Sequence, residues 1–246
     1  MGRAVNTMNG AADFPFNDIC VVIPTLNEIT TLHEVITGVL RYSSQVLVVD
    51  GGSSDGTVEC ARSLGVQVIE IGHGKGLAIR HALDCVAAPV TVFIDADGSH
   101  DPKDIPQLAL PVLRQEYDLV IGSRWTGGSD ELHGDMNKWL RRSGSRFLTT
   151  LVNWRFGGNL SDIQNGFRAL STNIGREIGL ACDDFTIEQE ITMKFLAGGL
   201  RVTNVPTHEY SRRGGTAKLD LGDVWFNFGV VVLRHLFGIS RPQIRR

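Results

Sequence analysis

Two aspartates one residue apart, Asp95 and Asp97, are the side chains with the clearest chemical use in this sequence. They follow residues 90–94, a short apolar run rich in β-branched residues that predicts a buried strand. Side chains alternate across a strand, so both carboxylates can reach one point just past its carboxyl end. Adjacent carboxylates repel each other, and their hard oxygens suit Mg²⁺ or Mn²⁺. The pair indicates a divalent-cation site; the alternative is that Asp97 or Ser99 only caps the helix that follows.

A glycine-rich turn over residues 50–57 (DGGSSDGT) is a second candidate for ligand binding. It follows an apolar strand and opens a helix. Backbone N–H groups at a helix N-terminus suit an anion such as a diphosphate, and an aspartate at a strand end suits a ribose or a base. The alternative is a structural turn in which Asp55 or Ser54 is the N-cap. The spacing is neither GxGxxG nor GxxxxGK[ST], which disfavours a nicotinamide dinucleotide and excludes a P-loop.

Two basic residues follow other predicted strands. Lys75 lies between two glycines before a helix, and Arg124 comes directly after the strand 119–123. Each has an ordinary structural alternative, a solvated surface lysine for Lys75 and a salt-bridge partner for Arg124. Their positions at strand ends nevertheless place them at the same edge of the predicted sheet as the aspartates.

The elements that must position these residues alternate between strands and helices. We predict strands at 19–24, 45–50, 66–71, 90–95 and 119–123, with helices at 30–42, 57–64, 75–86 and from 105. This alternation predicts a mostly parallel α/β sheet covered on both faces. The later part is predicted as a loop at 125–136, a helix at 137–156, a loop and short strand at 161–168, a helix at 185–196, a strand at 200–205 and a basic loop at 208–218.

Length, charge and cysteine content limit the classes of protein to which this chain can belong. The 246 residues are enough for one large or two small domains. Residues 201–246 carry eight Lys/Arg against three Asp/Glu, whereas the chain as a whole has a net charge of −3, so the basic end suggests an anionic partner. The four cysteines form no CxxC pair, and neither a signal peptide nor an apolar run of spanning length is found. A cytoplasmic location is therefore predicted.

In combination, the ordered motifs resemble glycosyltransferase family 2, whose members bind nucleotide sugars on a GT-A fold. The residues that carry this resemblance are Val22–Glu28, Val48–Thr57, Gly74–Gly76 and Asp95–Asp97. The second half resembles more narrowly the dolichyl-phosphate mannose synthase branch, which transfers sugar to a polyprenyl phosphate. The matching residues there are Asp95–His100 with Pro102, Gly122–Arg124, Phe147–Thr149, Ser161–Asp162, Gly166–Arg168, Glu188–Glu190 and Arg212–Leu219.

The resemblance implies a role for each matching position. Asp95, Asp97 and Ser99 would hold Mg²⁺ or Mn²⁺, and Asp97 and Arg124 would be catalytic. Donor binding is implied for Pro24, Thr25, Asn27, Glu28, Asp50, Gly52, Ser53, Asp55, Lys75, Asp95 and Ala96. Acceptor-phosphate binding is implied for Arg124, Lys138, Arg142, Arg212 and Lys218, with Gln164 and Glu190 on the acceptor side.

Two departures from the branch pattern concern specificity. Gly51 stands where the branch commonly has a second acid, which would help to recognise the base or ribose of the donor. Lys138 occupies the place of a usual arginine, and Arg141 and Arg142 are additional.

The resemblance implies a metal-dependent enzyme that inverts the anomeric configuration. It would transfer mannose or glucose from GDP-mannose or UDP-glucose to a polyprenyl phosphate; the alternative is a family 2 enzyme with a soluble or polysaccharide acceptor. We expect an N-terminal arm at 1–18, a GT-A domain at 19–220 and an amphipathic segment at 221–246. Within that segment, residues 225–237 could lie at the inner face of a membrane or pack in a core or dimer. No nucleic acid partner is expected, and a homodimer is one option.

Overall fold

The computed structural model describes residues 17–130 and 136–214, with the backbone alone over 136–142. One seven-stranded sheet has the order β3-β2-β1-β4-β6-β5-β7. Every strand runs in the same direction except β6, which pairs antiparallel with both β4 and β5. The predicted mostly parallel sheet is therefore confirmed.

The strands are β1 Ile19–Thr25, β2 Gln45–Asp50, β3 Gln67–Glu70, β4 Val90–Phe93, β5 Leu119–Ser123, β6 Arg168–Ser171 and β7 Val202–Pro206. The helices are α1 Ile29–Val39, α2 Thr57–Ser63, α3 Lys75–Cys85, α4 Ile105–Leu113, α5 Arg124–Gly127, α6 Met136–Phe156, α7 Thr172–Glu177 and α8 Ile187–Ala197. A 3₁₀ turn at Pro102–Asp104 precedes α4.

Alternation along the strands divides the core between the two faces of the sheet. In β1, Val21 and Ile23 pack against α1 and α4, whereas Cys20 and Val22 pack against α3 and α8. Because both faces are covered, the strands β1, β2, β4 and β5 are mostly apolar. Polar side chains that follow the strands are thereby confined to the sheet edge, where the candidate site lies.

Several predicted boundaries differ from the structure. The region predicted as a loop from residue 125 contains α5, and α7 was not predicted at all. The short strand predicted within 161–168 is displaced toward the C-terminus: β6 begins only at Arg168, and it inserts between β4 and β5. The predicted arm at 1–18 and segment at 221–246 lie almost wholly outside the described residues.

Candidate active site

The turn after β2 is organised around the Asp50 carboxylate, which is fully buried. Oδ1 accepts from the Thr25 hydroxyl at 3.0 Å and from the Ser53 hydroxyl at 2.5 Å. Oδ2 accepts from the backbone N–H groups of Gly52 at 2.9 Å and Ser53 at 2.7 Å. Four hydrogen bonds fill the acceptor capacity of the carboxylate, so Asp50 holds the turn in place. Gly52 adopts φ +94°, a conformation that favours glycine.

Further hydrogen bonds join this turn to the one after β1. The Asn27 backbone N–H donates to the Ser53 hydroxyl at 2.8 Å, and the Asn27 side-chain carbonyl accepts from the Ser54 backbone at 2.9 Å. Asp55 accepts from the backbone N–H groups of Ile29 at 3.2 Å and Thr57 at 3.0 Å. Asp55 therefore acts at the N-termini of both α1 and α2. The expected donor-binding residues of the two turns thus form one hydrogen-bonded unit.

Lys75 lies between two carboxylates. Its Nζ is 2.6 Å from Asp95 Oδ1 and 2.6 Å from Glu188 Oε1, and its side chain is only 14% exposed. Burial alone lowers the pKa of Lys75, but the charges of Asp95 and Glu188 outweigh it and raise the pKa above its usual value. The interpretation of Lys75 as a solvated surface lysine is therefore wrong.

The loop before β6 closes over this trio. A Cβ added at Gly166 would lie 2.7 Å from Asp95 Oδ2, 2.9 Å from Glu188 Oε1 and 3.0 Å from Lys75 Nζ, so a side chain there would collide with the charged groups. Arg168, which is fully buried, donates to the backbone carbonyls of Asn165 at 3.0 Å and Glu188 at 2.6 Å. It therefore fixes the loop against the start of α8.

Asp97 is buried and makes contacts in two directions. Oδ1 accepts from the Ser99 backbone N–H at 3.0 Å, and Oδ2 is 3.1 Å from Arg212 Nη2. Neither Asp97 nor Ser99 caps the next helical element, since Asp101 is the N-cap of the 3₁₀ turn, where it accepts from the Lys103 N–H at 3.0 Å. The capping interpretation of Asp97 and Ser99 is wrong.

Arg124 is held by two carboxylates. Its Nε and Nη2 donate to the two oxygens of the fully buried Asp162 at 2.7 and 3.1 Å, and Nη1 is 3.5 Å from Glu209 Oε1. This bidentate geometry fixes the plane of the guanidinium. Burial lowers the pKa of Arg124, but Asp162 and Glu209 raise it to a larger extent, so the positive charge is retained. The salt-bridge alternative for Arg124 is present in the structure.

His100 lies between the groups that follow β4 and β5. Its ring is buried, lies 5.1 Å from that of Phe167, and feels the charges of Asp95, Glu209, Asp97 and Arg124. Burial lowers the pKa of His100 below its usual value, although the carboxylates act in the opposite direction. The carboxylates after β4 and the Arg124–Glu209 pair after β5 are thus both close enough to act electrostatically on His100.

Other expected site residues lie apart or outside the description. The Glu190 carboxylate accepts from the backbone N–H groups of Ala181 at 3.0 Å and Cys182 at 2.8 Å, and it pairs with Lys194 at 2.9 Å. These contacts hold Glu190 apart from Lys75. Glu188 is the acid that contacts Lys75. Pro24 and Ala96 lie beside the turns, and the Gln164 backbone donates to Asp162 at 3.0 Å. Lys218 and the side chains of Lys138 and Arg142 lie outside the described part of the chain, as does the whole of 225–237.

The partners that sequence reasoning missed are carboxylates far along the chain. Glu188, Asp162 and Arg168 are matched to the family pattern without a role, and Glu209 is not matched at all. Glu209 also accepts from the Ser129 hydroxyl at 2.5 Å, which ties the Arg124 region to the segment after β7. The Ser161–Asp162 match to the family pattern is the signal that could have indicated Asp162.

The carboxylate pair fits a divalent cation that is shared with a ligand. Within residues 17–130 and 143–214, no group of three or more His, Cys, Asp or Glu side chains is placed to hold a metal ion. Mg²⁺ commonly binds through one or two carboxylates together with substrate phosphates and water. In the structure, Asp95 and Asp97 each already hold a cationic side chain, which shows that this point favours positive charge.

The model of glycosyl transferase family 2 matches residues 20–179, which are more than half of the chain. The chain belongs to this family. It is therefore a glycosyltransferase. The protein is 35% identical to glycosyltransferase AglJ of Haloferax volcanii over 80% of this chain, although it spans only 65% of the length of that relative. It is 32% identical to undecaprenyl-phosphate mannosyltransferase of Micrococcus luteus, over 84% of this chain and 89% of the relative.

A solved structure confirms the fold of this glycosyltransferase. Glucosyl-3-phosphoglycerate synthase of Mycobacterium tuberculosis, crystallised with Mn²⁺, UDP-glucose and phosphoglyceric acid, matches with a TM-score of 0.72. The match has 24% identity and covers 91% of this chain and 81% of that one. The predicted GT-A fold is thereby confirmed. Among the helices of the described residues, none is both long and apolar enough to cross a membrane.

Proposed function

We propose that this glycosyltransferase moves a hexose, mannose or glucose, from a nucleotide-diphosphate sugar to a polyprenyl phosphate. One observation carries the proposal: carboxylates that suit a metal-bound diphosphate and arginines that suit a second phosphate meet at one sheet edge. Asp95 and Asp97 form the first group, and Arg124 and Arg212 the second. The likeness to a mannosyltransferase whose name specifies undecaprenyl phosphate supports the lipid acceptor.

The donor would bind over the turns after β1 and β2. Asp50 and Asp55 keep the backbone of these turns in one conformation, so the groups that meet the nucleotide are preorganised. Asp95, Asp97 and Ser99 would hold Mg²⁺ or Mn²⁺ against the diphosphate. A cation there would neutralise the charge that develops on the leaving nucleotide diphosphate.

The acceptor phosphate would need no general base. The second pKa of a phosphate monoester is about 6, so it is an ionised nucleophile at neutral pH. Arg124, fixed in orientation by Asp162, and Arg212 would bind this phosphate and offset its repulsion from the donor. In-line attack on the sugar carbon would invert the anomeric configuration.

Helix α6 offers a surface for the membrane that carries such an acceptor. Phe147 and Trp154, two turns apart on one face, are 67% and 77% exposed. The Arg146 guanidinium lies 4.8 Å over the ring of Trp125, the residue after Arg124, so this helix adjoins the acceptor side of the site. Aromatic and basic side chains together suit an anionic bilayer surface.

Vesicle binding tests this surface. The double variant Phe147→Ser, Trp154→Ser should lose about tenfold in affinity for vesicles that contain phosphatidylglycerol, because two large apolar groups no longer enter the interface. Tyr117→Ser, a change at an exposed aromatic residue elsewhere on the molecule, is the matched control. Equal sedimentation of all three proteins with vesicles would exclude α6 as the membrane surface.

Partition of labelled sugar tests the reaction. Purified protein, Mg²⁺ or Mn²⁺ and a short polyprenyl phosphate are incubated with labelled GDP-mannose or UDP-glucose, and label in the organic phase is counted. Label from one donor supports the proposal and identifies the nucleotide. Metal-dependent release of nucleotide diphosphate without lipid label would mean that water takes the sugar, which keeps donor and metal binding but counts against the lipid acceptor.

A further inference from the structure

Residues 208–214 lie across the turn that carries Asp97 and Ser99. The Tyr210 backbone N–H donates to the Ser99 carbonyl at 2.8 Å, and the Arg213 backbone N–H donates to the Asp97 carbonyl at 3.2 Å. These bonds fix the main chain on both sides of Arg212. The Arg212 side chain can therefore change its partner by rotation about its own bonds, while the segment stays in place.

The two cations beside the carboxylate pair are held with different strength. Lys75 is 14% exposed and lies 2.6 Å from each of two carboxylates. Arg212 is 39% exposed and lies 3.1 Å from Asp97. Ion pairs with an exposed member contribute little to stability. Arg212 is thus the cation that a competitor displaces at lower cost.

The charge of Arg212 acts on both carboxylates. Burial raises the pKa of Asp95, but Lys75, His100 and Arg212 together bring it below its usual value. Arg212 contacts Asp97 directly. A divalent cation on the same oxygens would stand beside the guanidinium, and like charges at that separation repel strongly. Metal and guanidinium therefore compete for Asp97.

We propose that Arg212 and a divalent cation exchange at Asp97, and that the displaced guanidinium then binds the acceptor phosphate. Without metal, Arg212 neutralises Asp97. Once the metal and donor occupy the carboxylates, the Arg212 guanidinium binds the incoming phosphate instead. The exchange makes donor loading a condition for acceptor binding. The identity of the phosphate rests on the proposed function, whereas the competition at Asp97 does not.

Binding of Mn²⁺ alone tests the competition. Free Mn²⁺ is measured by electron paramagnetic resonance with the wild type, Arg212→Met and Arg213→Met, without nucleotide or lipid. Arg213 is the matched control because it follows Arg212 in the same segment but pairs with Glu34, at 3.0 Å to each oxygen. We expect Arg212→Met to bind Mn²⁺ about fivefold more tightly and Arg213→Met to resemble the wild type. Equal or weaker binding in Arg212→Met overturns the proposal.

Two further variants serve as controls for the Mn²⁺ experiment. Arg212→Lys keeps the charge, so its affinity for Mn²⁺ should lie between those of the wild type and Arg212→Met; an Arg212→Lys affinity as high as that of Arg212→Met contradicts the exchange. When Asp97→Asn is added to both proteins, the wild type and Arg212→Met should no longer differ in their affinity for Mn²⁺. A difference that persists without the carboxylate would mean that Arg212 acts elsewhere.

Farnesyl phosphate tests the second part of the proposal, that the displaced Arg212 binds the acceptor phosphate. In the wild type, Mn²⁺ with nucleoside diphosphate should tighten farnesyl phosphate binding, and in Arg212→Met this gain should shrink by about the same fivefold factor. An undiminished gain overturns the transfer of Arg212 to the phosphate. Absence of farnesyl phosphate binding, with Mn²⁺ binding as expected, would count against the lipid acceptor while the competition at Asp97 stands.

Discussion

The two sides of the site are held together in different ways. On the donor side, the turns after β1 and β2 are joined by hydrogen bonds between side chains and nearby backbone, centred on Asp50 and Asp55. On the ion-paired side, around Asp95 and Arg124, salt bridges join residues far apart in the chain, as in Arg124 with Asp162 and Lys75 with Glu188. The first arrangement depends on hydrogen bonds to the nearby backbone, whereas the second depends on charge and therefore responds to salt and to charged ligands.

The largest effect is expected at Asp97. Asp97→Asn keeps the size of the side chain but removes the charge that holds a cation, so transfer should fall by about a thousandfold. Asp101→Asn is the matched control, because asparagine caps a helix as well as aspartate does and Asp101 pairs only at the surface. The transfer assay measures both variants. Equal losses would mean that the ion-paired side depends only on its general negative charge.

Removing Lys75 should have the largest effect on stability. Lys75→Met leaves Asp95 and Glu188 facing each other in a mostly buried place, which costs about 3 kcal/mol of unfolding free energy in urea titrations. Adding Glu188→Gln should recover part of that loss, since one of the two repelling charges is gone. Lys103→Met, at an exposed lysine, should remain close to the wild type. Additive losses in the double variant would show that the trio is not one electrostatic unit.

The donor side should respond differently. Asp50→Asn turns an amide group toward backbone N–H donors and should cost about 2 kcal/mol of unfolding free energy, with little change upon addition of salt. Ser53→Ala should cost less, and Ser54→Ala, an exposed serine next to it, should have hardly any effect. A strong salt dependence for Asp50→Asn would remove the contrast between the two sides.

Replacing Glu190 should have the smallest effect on the unfolding free energy, and this effect should decrease as the pH falls. Burial raises the pKa of Glu190, but its hydrogen bonds with Cys182, Lys194 and Ala181 bring it below the usual value. The carboxylate therefore contributes stability above the unfolded pKa of about 4.3, and this contribution is lost as the pH falls through the folded pKa. Glu190→Gln should cost about 1 kcal/mol at pH 7 and less at pH 3.5.

Urea titrations at both pH values check this. Glu177→Gln, at an exposed end of α7, is the control that should show no such convergence. If the loss in Glu190→Gln were the same at pH 7 and pH 3.5, its charge would not be the source of the stabilisation.

The contrast between the two sides also explains what the sequence could predict. Short apolar runs that end in polar residues mark strands on both sides, so β2 at Gln45–Asp50 and β5 at Leu119–Ser123 are predicted to the residue. The ion-paired side depends on pairs separated by many residues, such as Arg124 with Glu209, and no local pattern indicates such a pairing. Helix α7 has six residues, too few to show a helical period.

The same limit applies to the roles of single residues. Asp95 and Asp97 were located by their spacing, and their place after β4 follows from strand alternation. The choice between Glu188 and Glu190 could not be made, because both lie in the first turn of α8 and only the packing of the helix decides which one meets Lys75. The metal, donor and acceptor roles of the predicted residues stay predictions.

The antiparallel strand β6 has a consequence for the size of the substrate. It separates β4 from β5, so the strand that leads to Asp95 and the strand that leads to Arg124 are two interstrand spacings apart, about 10 Å. Direct pairing of β4 with β5 would have halved that separation. The insertion of β6 therefore leaves room between the two strand ends for a substrate with two charged groups, and the loop that carries Gly166 lies at this place.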